Sequence, residues 1–225
     1  MADAVINHTG GITEYDYQGE AYTQFFLGSR YALLRPAFFG LFGPTPMEGP
    51  VFISLGGADP HNASLRVLEN LRVARQLLGR PIPARLVLGL FHPNRTAVEA
   101  AAQTMGDVTI LSNLTAEQMA DELKRCQLAI AACSTVAYEV CAAGRPLIAI
   151  QTATNQDGLA EFFTRYTLTN GVLPTSGLDS QLPLTITDAL NNSDAPPTSF
   201  RRRFFDKQTP DRFRHIFARL CSPTA

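Results

Sequence analysis

The chain has 225 residues, 45% of them hydrophobic and 17% charged, and its 19 basic and 20 acidic groups leave a formal net charge of -1. With a mean hydropathy near zero, that length fills one good core and part of a second. So balanced a charge offers no general field to nucleic acid or an anionic membrane; neither is expected as a partner, and any anion must be held locally.

The amino end is not expected to act as a signal peptide, because Asp3, Asn7 and His8 interrupt its apolar run. Apolar stretches such as Ala129 to Ala132 and Pro146 to Ile150 fall far short of the ~20 residues that span a bilayer. Cys126, Cys133, Cys141 and Cys221 include no C-x-x-C pair and no histidine at zinc-finger spacing. They read as reduced thiols of a cytoplasmic protein, and no metal or cofactor is expected.

Residues 1–49 hold one short strand candidate, Ala4 to Asn7. An aromatic and glycine-rich stretch follows, ending in Gly43-Pro44-Thr45-Pro46 and Gly49-Pro50, the composition of an interdomain connection. From residue 51, short β-rich runs alternate with helical segments. Val51 to Leu55 is a buried strand, after which Asp59 caps a helix with Pro60 at its first position and Leu65, Leu68, Leu71, Val73 and Leu77 on its apolar face. Strand Arg85 to Leu90 precedes helix Thr96 to Met105. Strand Val108 to Leu111 precedes helix Ala116 to Arg125, and strand Leu128 to Ala131 precedes helix Thr135 to Ala143. Strand Leu147 to Ile150 leads to a helix near Asn155 to Arg165. Five such units predict an α/β, Rossmann-like parallel sheet with ligand loops at the carboxyl ends of its strands. A further helix near Gln181 to Leu190, a polar linker Asn191 to Pro197 and a last helix Phe200 to Leu220 complete the chain. Domain limits of 50–195 and 196–225 follow.

Two loops carry the functional signal. Gly56-Gly57 brings backbone N–H groups near a phosphate, while Asp59 and Asn62 cap the helix or hydrogen-bond a sugar; the alternative is a tight turn with an Asp cap. The run is not a G-x-G-x-x-G dinucleotide fingerprint. Ser134 and Thr135 open the other helix as an anion site, and Glu139, four residues past Thr135, shares its face and accepts hydrogen bonds from ribose hydroxyls. The alternative for Glu139 is a solvent-facing ion pair with Arg145. This reading requires both helix starts on one crevice and the Glu139 carboxylate open to it. Asn155 and Gln156 offer carboxamides to a sugar, or a helix cap. Asn113 and Leu114 offer backbone groups to a base edge, or Thr115 simply caps the next helix. His8, His61, His92 and His215 are candidates for proton transfer, and none sits in a recognisable triad. His8 reads first as a surface-loop histidine. The run Arg201-Arg202-Arg203, with Asp206 and Asp211 nearby, reads as a solvated helix face.

In order along the chain, Gly56-Gly57-Ala58-Asp59-Pro60-His61-Asn62, Ser134-Thr135-x-x-x-Glu139, Gly144-x-Pro146 and Asn155-Gln156 resemble the UDP-sugar hydrolases of pseudaminic acid biosynthesis and the related spore coat polysaccharide proteins. Tyr31-Ala32-Leu33-Leu34-Arg35-Pro36 resembles the segment joining the two domains of that family. A more distant likeness is to the carboxyl-terminal domain of the glycosyltransferases that build the peptidoglycan lipid intermediate. The resemblance implies the carboxyl-terminal domain of a GT-B fold with a remnant of the amino-terminal domain. It further implies a UDP-sugar substrate, with Ser134 and Thr135 at the diphosphate, Glu139 at the ribose, and Asn155 with Gln156 at the sugar or phosphate. Its reaction is hydrolysis to UDP and free sugar; glycosyl transfer from the same donor site and noncatalytic binding are the alternatives. The family's Gly-x-Gly-His loop, whose histidine is its general base, has no counterpart here. The catalytic residue is therefore unassigned, and the expectation is a fragment, a misplaced gene start or half of a split enzyme whose partner is a separate amino-terminal Rossmann domain.

Overall fold

The computed structural model describes residues 2–39, 44–57, 59, 61–192, 201 and 203–221. Its main body is a six-stranded parallel sheet whose strands run in chain order β3 (Val51–Ser54), β4 (Ala84–Val87), β5 (Val108–Leu111), β6 (Leu128–Ala132), β7 (Leu147–Gln151) and β8 (Gly171–Pro174). In space the order is β5-β4-β3-β6-β7-β8. Helices α1 (Ala63–Leu78), α2 (Arg95–Met105), α3 (Ala116–Arg125), α4 (Thr135–Ala142), α5 (Asp157–Arg165) and α6 (Leu178–Asn191) connect or follow the strands. Ahead of them β1 (Ala4–Asn7) and β2 (Gln24–Leu27) pair as a separate two-stranded parallel sheet, and α7 (Thr209–Leu220) closes the chain.

The central strands are apolar throughout because both faces of the sheet are covered. Their side chains alternate between two core layers. Val51, Ile53, Ile130, Ile148 and Ile150 face α1, α2 and α6. Phe52, Ala129, Ala131, Leu147 and Ala149 face α3, α4 and α5. The alanines on the second face leave room for Tyr138 and Phe163, both fully buried. Sequence and structure agree on this layering and differ in detail. Helix α1 buries Val67, Leu68, Leu71 and Ala74, whereas Val73 and Leu77 lie off that face, 37% and 55% exposed. It begins at Ala63 rather than directly after Asp59, and Pro60 lies outside the described residues. Strand β4 ends at Val87, so Leu90 and Phe91 stand in an exposed loop. Strands β2 and β8 were not anticipated: each is four residues long and neither alternates cleanly.

The carboxyl-terminal segment departs further. Helix α7 starts at Thr209 with Pro210 in its first turn, where proline's missing N–H does no harm. The expected linker falls mostly on residues outside those described, as do Phe200 and Arg202. Arg201 is not on a solvated face: it is 1% exposed, and its guanidinium donates to the Arg145 carbonyl. Phe205 and Ile216 are buried while Phe217 is half exposed, so only part of the aromatic face packs.

Tyr138 fastens the amino-terminal segment to the main body. Its hydroxyl accepts from the Gly10 amide at 2.9 Å and donates to the His8 carbonyl at 3.0 Å. A side chain at residue 10 would run into the Phe162 ring at 2.2 Å, so only glycine allows this approach. Tyr138→Phe strands a buried amide and carbonyl, and urea denaturation is expected to show a loss of about 1–3 kcal/mol, with faster amide exchange at Gly10.

Candidate functional site

The spatial strand order reverses at β3 and β6, which pair Ser54 with Ala131 near their carboxyl ends. From there α1 leaves toward one face of the sheet and α4 toward the other, opening the crevice where such sheets take ligands. The two helix starts named from the sequence therefore leave the sheet at its reversal, and they are not equivalent.

At the first, Gly56 holds φ +88°, and Gly56 and Gly57 are exposed, with nothing within 4 Å of a Cβ built on either. Asp59 behind them is 2% exposed. Its two oxygens accept from the Ala63 and Ser64 amides at 2.6 and 2.8 Å, the first two amides of α1. The His92 Nε2 adds a third bond, 3.1 Å from Asp59 Oδ2. The Asn94 amide, which can only donate, points at His92 Nδ1 from 3.2 Å. Nδ1 is thus the acceptor and the proton sits on Nε2, aimed at Asp59. The Ala63 and Ser64 amides at the start of α1 are thus occupied by a buried carboxylate, and Asp59 itself, at 2% exposure, is closed to a ligand. Asn62 turns left-handed, φ 51°, at the N-cap of α1, with its Oδ1 buried and without a protein partner among the described residues.

At the second, Ser134 is the N-cap of α4 in extended backbone, φ -145°, and its side chain makes no capping bond. Thr135 is exposed; the Ala137 amide already donates to the Ser134 carbonyl at 2.9 Å, which leaves the Thr135 and Val136 amides as the first-turn donors without an intrahelical acceptor. A depression of about 200 Å³ joins Ser134 and Thr135 to Asn155 and Gln156 after β7 and to His8 and Thr9 after β1. Asn155 is exposed and available to a ligand. Gln156 is partly committed, accepting from the Thr152 amide at 2.8 Å and donating to the Thr152 hydroxyl at 3.2 Å. His8 thus lines the depression, its ring edge-on to Tyr138 at 6.1 Å. His61 and His215 are not among the groups lining it.

Glu139 differs from expectation. It is 6% exposed rather than open to the crevice, and Arg145 is not its partner. Arg35, from the connecting segment, closes over it with Nε and Nη2 at 3.2 and 2.9 Å from Oε1. Oε2 is left without a protein donor among the described residues. Burial raises the Glu139 pKa from its ordinary 4.5, and the Arg35 charge and hydrogen bonds pull it partly back. The Arg35 guanidinium also lies 4.9 Å from the centre of the Phe38 ring. Near the base-edge candidates, Thr115 and Gln118 form a reciprocal capping box for α3. Asn113 turns left-handed at φ 54°, and Leu114 packs on the α3–α5 core.

Arg35, Thr9 and the Asp59–His92 pairing escaped the sequence reading. Arg35 and Glu139 lie 104 residues apart, and no local pattern joins them.

No family model and no curated protein matches the sequence. Solved structures do match in shape. WaaG, a glycosyltransferase of lipopolysaccharide biosynthesis, aligns at TM-score 0.57 and 17% identity over 90% of this chain and 58% of its own. MurG of Acinetobacter baumannii aligns at 0.56 and 14% over 97% and 60%. The pneumococcal O-GlcNAc transferase GtfA, solved with UDP and GlcNAc, aligns at 0.61 and 13% over 98% and 46%. The fold is that of a GT-B carboxyl-terminal domain. The chain spans about half to three-fifths of the length of these neighbours, and likeness at such identities establishes architecture alone. No described helix is long and apolar enough to cross a membrane.

Two outcomes follow from the side-chain chemistry. Asp59→Ala removes a double cap and leaves the His92 N–H buried without an acceptor, so urea denaturation is expected to show a loss of about 2–4 kcal/mol. For Glu139 the folded pKa lies above the unfolded one, so the folded state holds the proton longer. Its contribution is greatest below about 4.5 and falls as pH rises through the folded value. The stability difference between wild type and Glu139→Gln should therefore shift against wild type between pH 4.5 and 7, read from urea midpoints across that range.

Proposed function

We propose that this chain is the donor-binding domain of an enzyme acting on a nucleoside-diphosphate sugar, with UDP as the nucleotide. The observation that carries the reading is the open start of α4 at the strand-order reversal, where Ser134 lacks a capping bond and faces Asn155 across one depression. Free amides and an unspent hydroxyl at a helix amino end suit a diphosphate. The α1 start contributes space through Gly56 and Gly57 and little charge, because Asp59 neutralises its dipole. Asn155 suits a sugar hydroxyl or acetamido group. Glu139, 6% exposed beneath Arg35 and outside the lining of the depression, does not meet the requirement of an open carboxylate; it contacts a ribose only once Arg35 swings aside, and the reading rests on the α4 start. Hydrolysis is supported by the ordered motif resemblance. Transfer to a saccharide is supported at least as well by the glycosyltransferase neighbours. In either case the sugar–phosphate bond breaks, UDP departs with the bonding electrons and the acceptor oxygen loses a proton. A domain supplying the opposite wall and the base is part of this proposal, so the chain alone is expected to bind without turning over.

Calorimetry with UDP tests it. Because the Ser134 hydroxyl caps nothing, Ser134→Ala should leave the melting temperature unchanged while weakening UDP by about two- to tenfold, the worth of one hydrogen bond. Glu139→Ala should weaken UDP and abolish the difference between UDP and its 2′,3′-dideoxy analogue. Absence of UDP binding by the wild-type chain would end this reading; coupled UDP release from a UDP-sugar at enzyme-like rates would end the division of labour with a second domain.

A further inference from the structure

A second cavity, about 260 Å³, adjoins the depression at the start of α4 and is larger than it. Thr9 lines both. Helix α5 runs beneath both as well: Leu159 in its first turn, with Asn155 in the short turn just ahead of it, lines the first, and Gly158, Glu161 and Arg165 line the second. The opposite wall is the Gly10-Gly11 turn and Asp16, held in place by the Tyr138 bonds described above.

Three properties define what fits. Its volume is under the roughly 300–1,000 Å³ typical of drug-sized ligands, so it admits one small ring rather than a lipid chain or an extended oligomer. Its surface is mostly apolar, with Phe162 and glycine backbone at the floor and charged groups at the rim. Glu161 and Arg165 stand in the i, i+4 order that favours an ion pair on a helix, yet they form none among the described residues; the Arg165 guanidinium lies 5.8 Å from the centre of the Tyr166 ring instead. Both polar heads are therefore available over the cavity. An apolar floor beneath a carboxylate acceptor and a guanidinium donor matches a pyranose, which presents C–H groups on its face and hydroxyls at its edge. Asp16 and Glu161 against the single Arg165 make the rim net negative, which disfavours a carboxylated or phosphorylated ring.

Resting on the donor-site reading, we propose that this cavity is a saccharide subsite beside the donor, selective for a neutral or amino monosaccharide unit, and that the natural acceptor is a sugar hydroxyl. The arrangement assigns the chain to glycosyl transfer rather than hydrolysis, since a water acceptor needs no such cavity.

Saturation-transfer NMR on the full chain, with and without saturating UDP, tests this using N-acetylglucosamine, glucosamine and glucuronate as probes. The expected result is binding of the first two and not of glucuronate. Glu161→Ala with Arg165→Ala should weaken N-acetylglucosamine by about five- to tenfold, the worth of one or two hydrogen bonds, with UDP affinity and melting temperature unchanged. Both residues are exposed, so their loss leaves the fold intact. A single substitution, Glu161→Gln, should retain more binding than Glu161→Ala. Equal binding of glucuronate, no loss in the double variant, or no sugar binding by a chain that still binds UDP would overturn the subsite. Sugar binding by a chain that fails to bind UDP would uphold the subsite and remove the nucleotide reading beneath it.

Discussion

A parallel sheet whose strand order reverses in the middle cannot send all its helices to one face. Here the reversal falls between β3 and β6, and the two helices that leave those strands diverge, opening a crevice that neither needs for its own packing. The divergence places the candidate groups of the main sheet: the paired glycines on one side, the Ser134–Thr135 turn on the other, and the loop after β7 one strand further along. The alternation of side chains between two core layers holds the reversal in place. A slip of one residue in β3 or β6 would bring Phe52 against the α1 face and Ile130 against α4.

The two helix starts show how similar local sequences reach opposite electrostatic ends. Asp59 sits in low dielectric with three donors around it, an arrangement that stabilises α1 and removes its amino end from competition for anions. Ser134 makes no equivalent bond, so the Thr135 and Val136 amides of α4 receive no side-chain cap. One helix is capped by a buried side chain, and the other has no side-chain cap. Structural completion at α1 also ties the β4 loop to the β3 loop through His92, so the glycine pair rests on a rigid support.

Periodicity and turn chemistry made the central sheet legible: the continuous apolar runs of β6 and β7, the Thr115 cap of α3 and the glycine after α4 all speak locally. The short edge elements did not, because β2 and β8 draw their stability from pairing with distant strands rather than from any pattern of their own. The site was legible to the same depth. Residue types at strand ends located the crevice, whereas the fate of Asp59 and Glu139 depended on partners 33 and 104 residues away. A carboxylate next to a helix start has the same sequence signature whether it meets a ligand or an internal amide; burial decides, and burial is a property of the whole fold.

The amino-terminal segment enters the site at three separated points: His8 and Thr9 at the depression, the Gly10-Gly11 turn at the larger cavity, and Arg35 over Glu139. The first two are pinned by one phenol hydroxyl and the third by an ion pair whose carboxylate is largely desolvated. Removing a carboxylate from water costs several kcal/mol unless its partner is well placed, and Arg35 is itself 46% exposed. The pair is therefore weaker than its geometry suggests. A polyol that hydrogen-bonds Oε2 would spread the carboxylate's charge over more donors and lessen the cost of its burial, whereas a nonpolar occupant would add to it. That asymmetry follows from burial alone: a carboxylate under Arg35 has fewer waters to fall back on than a freely solvated one.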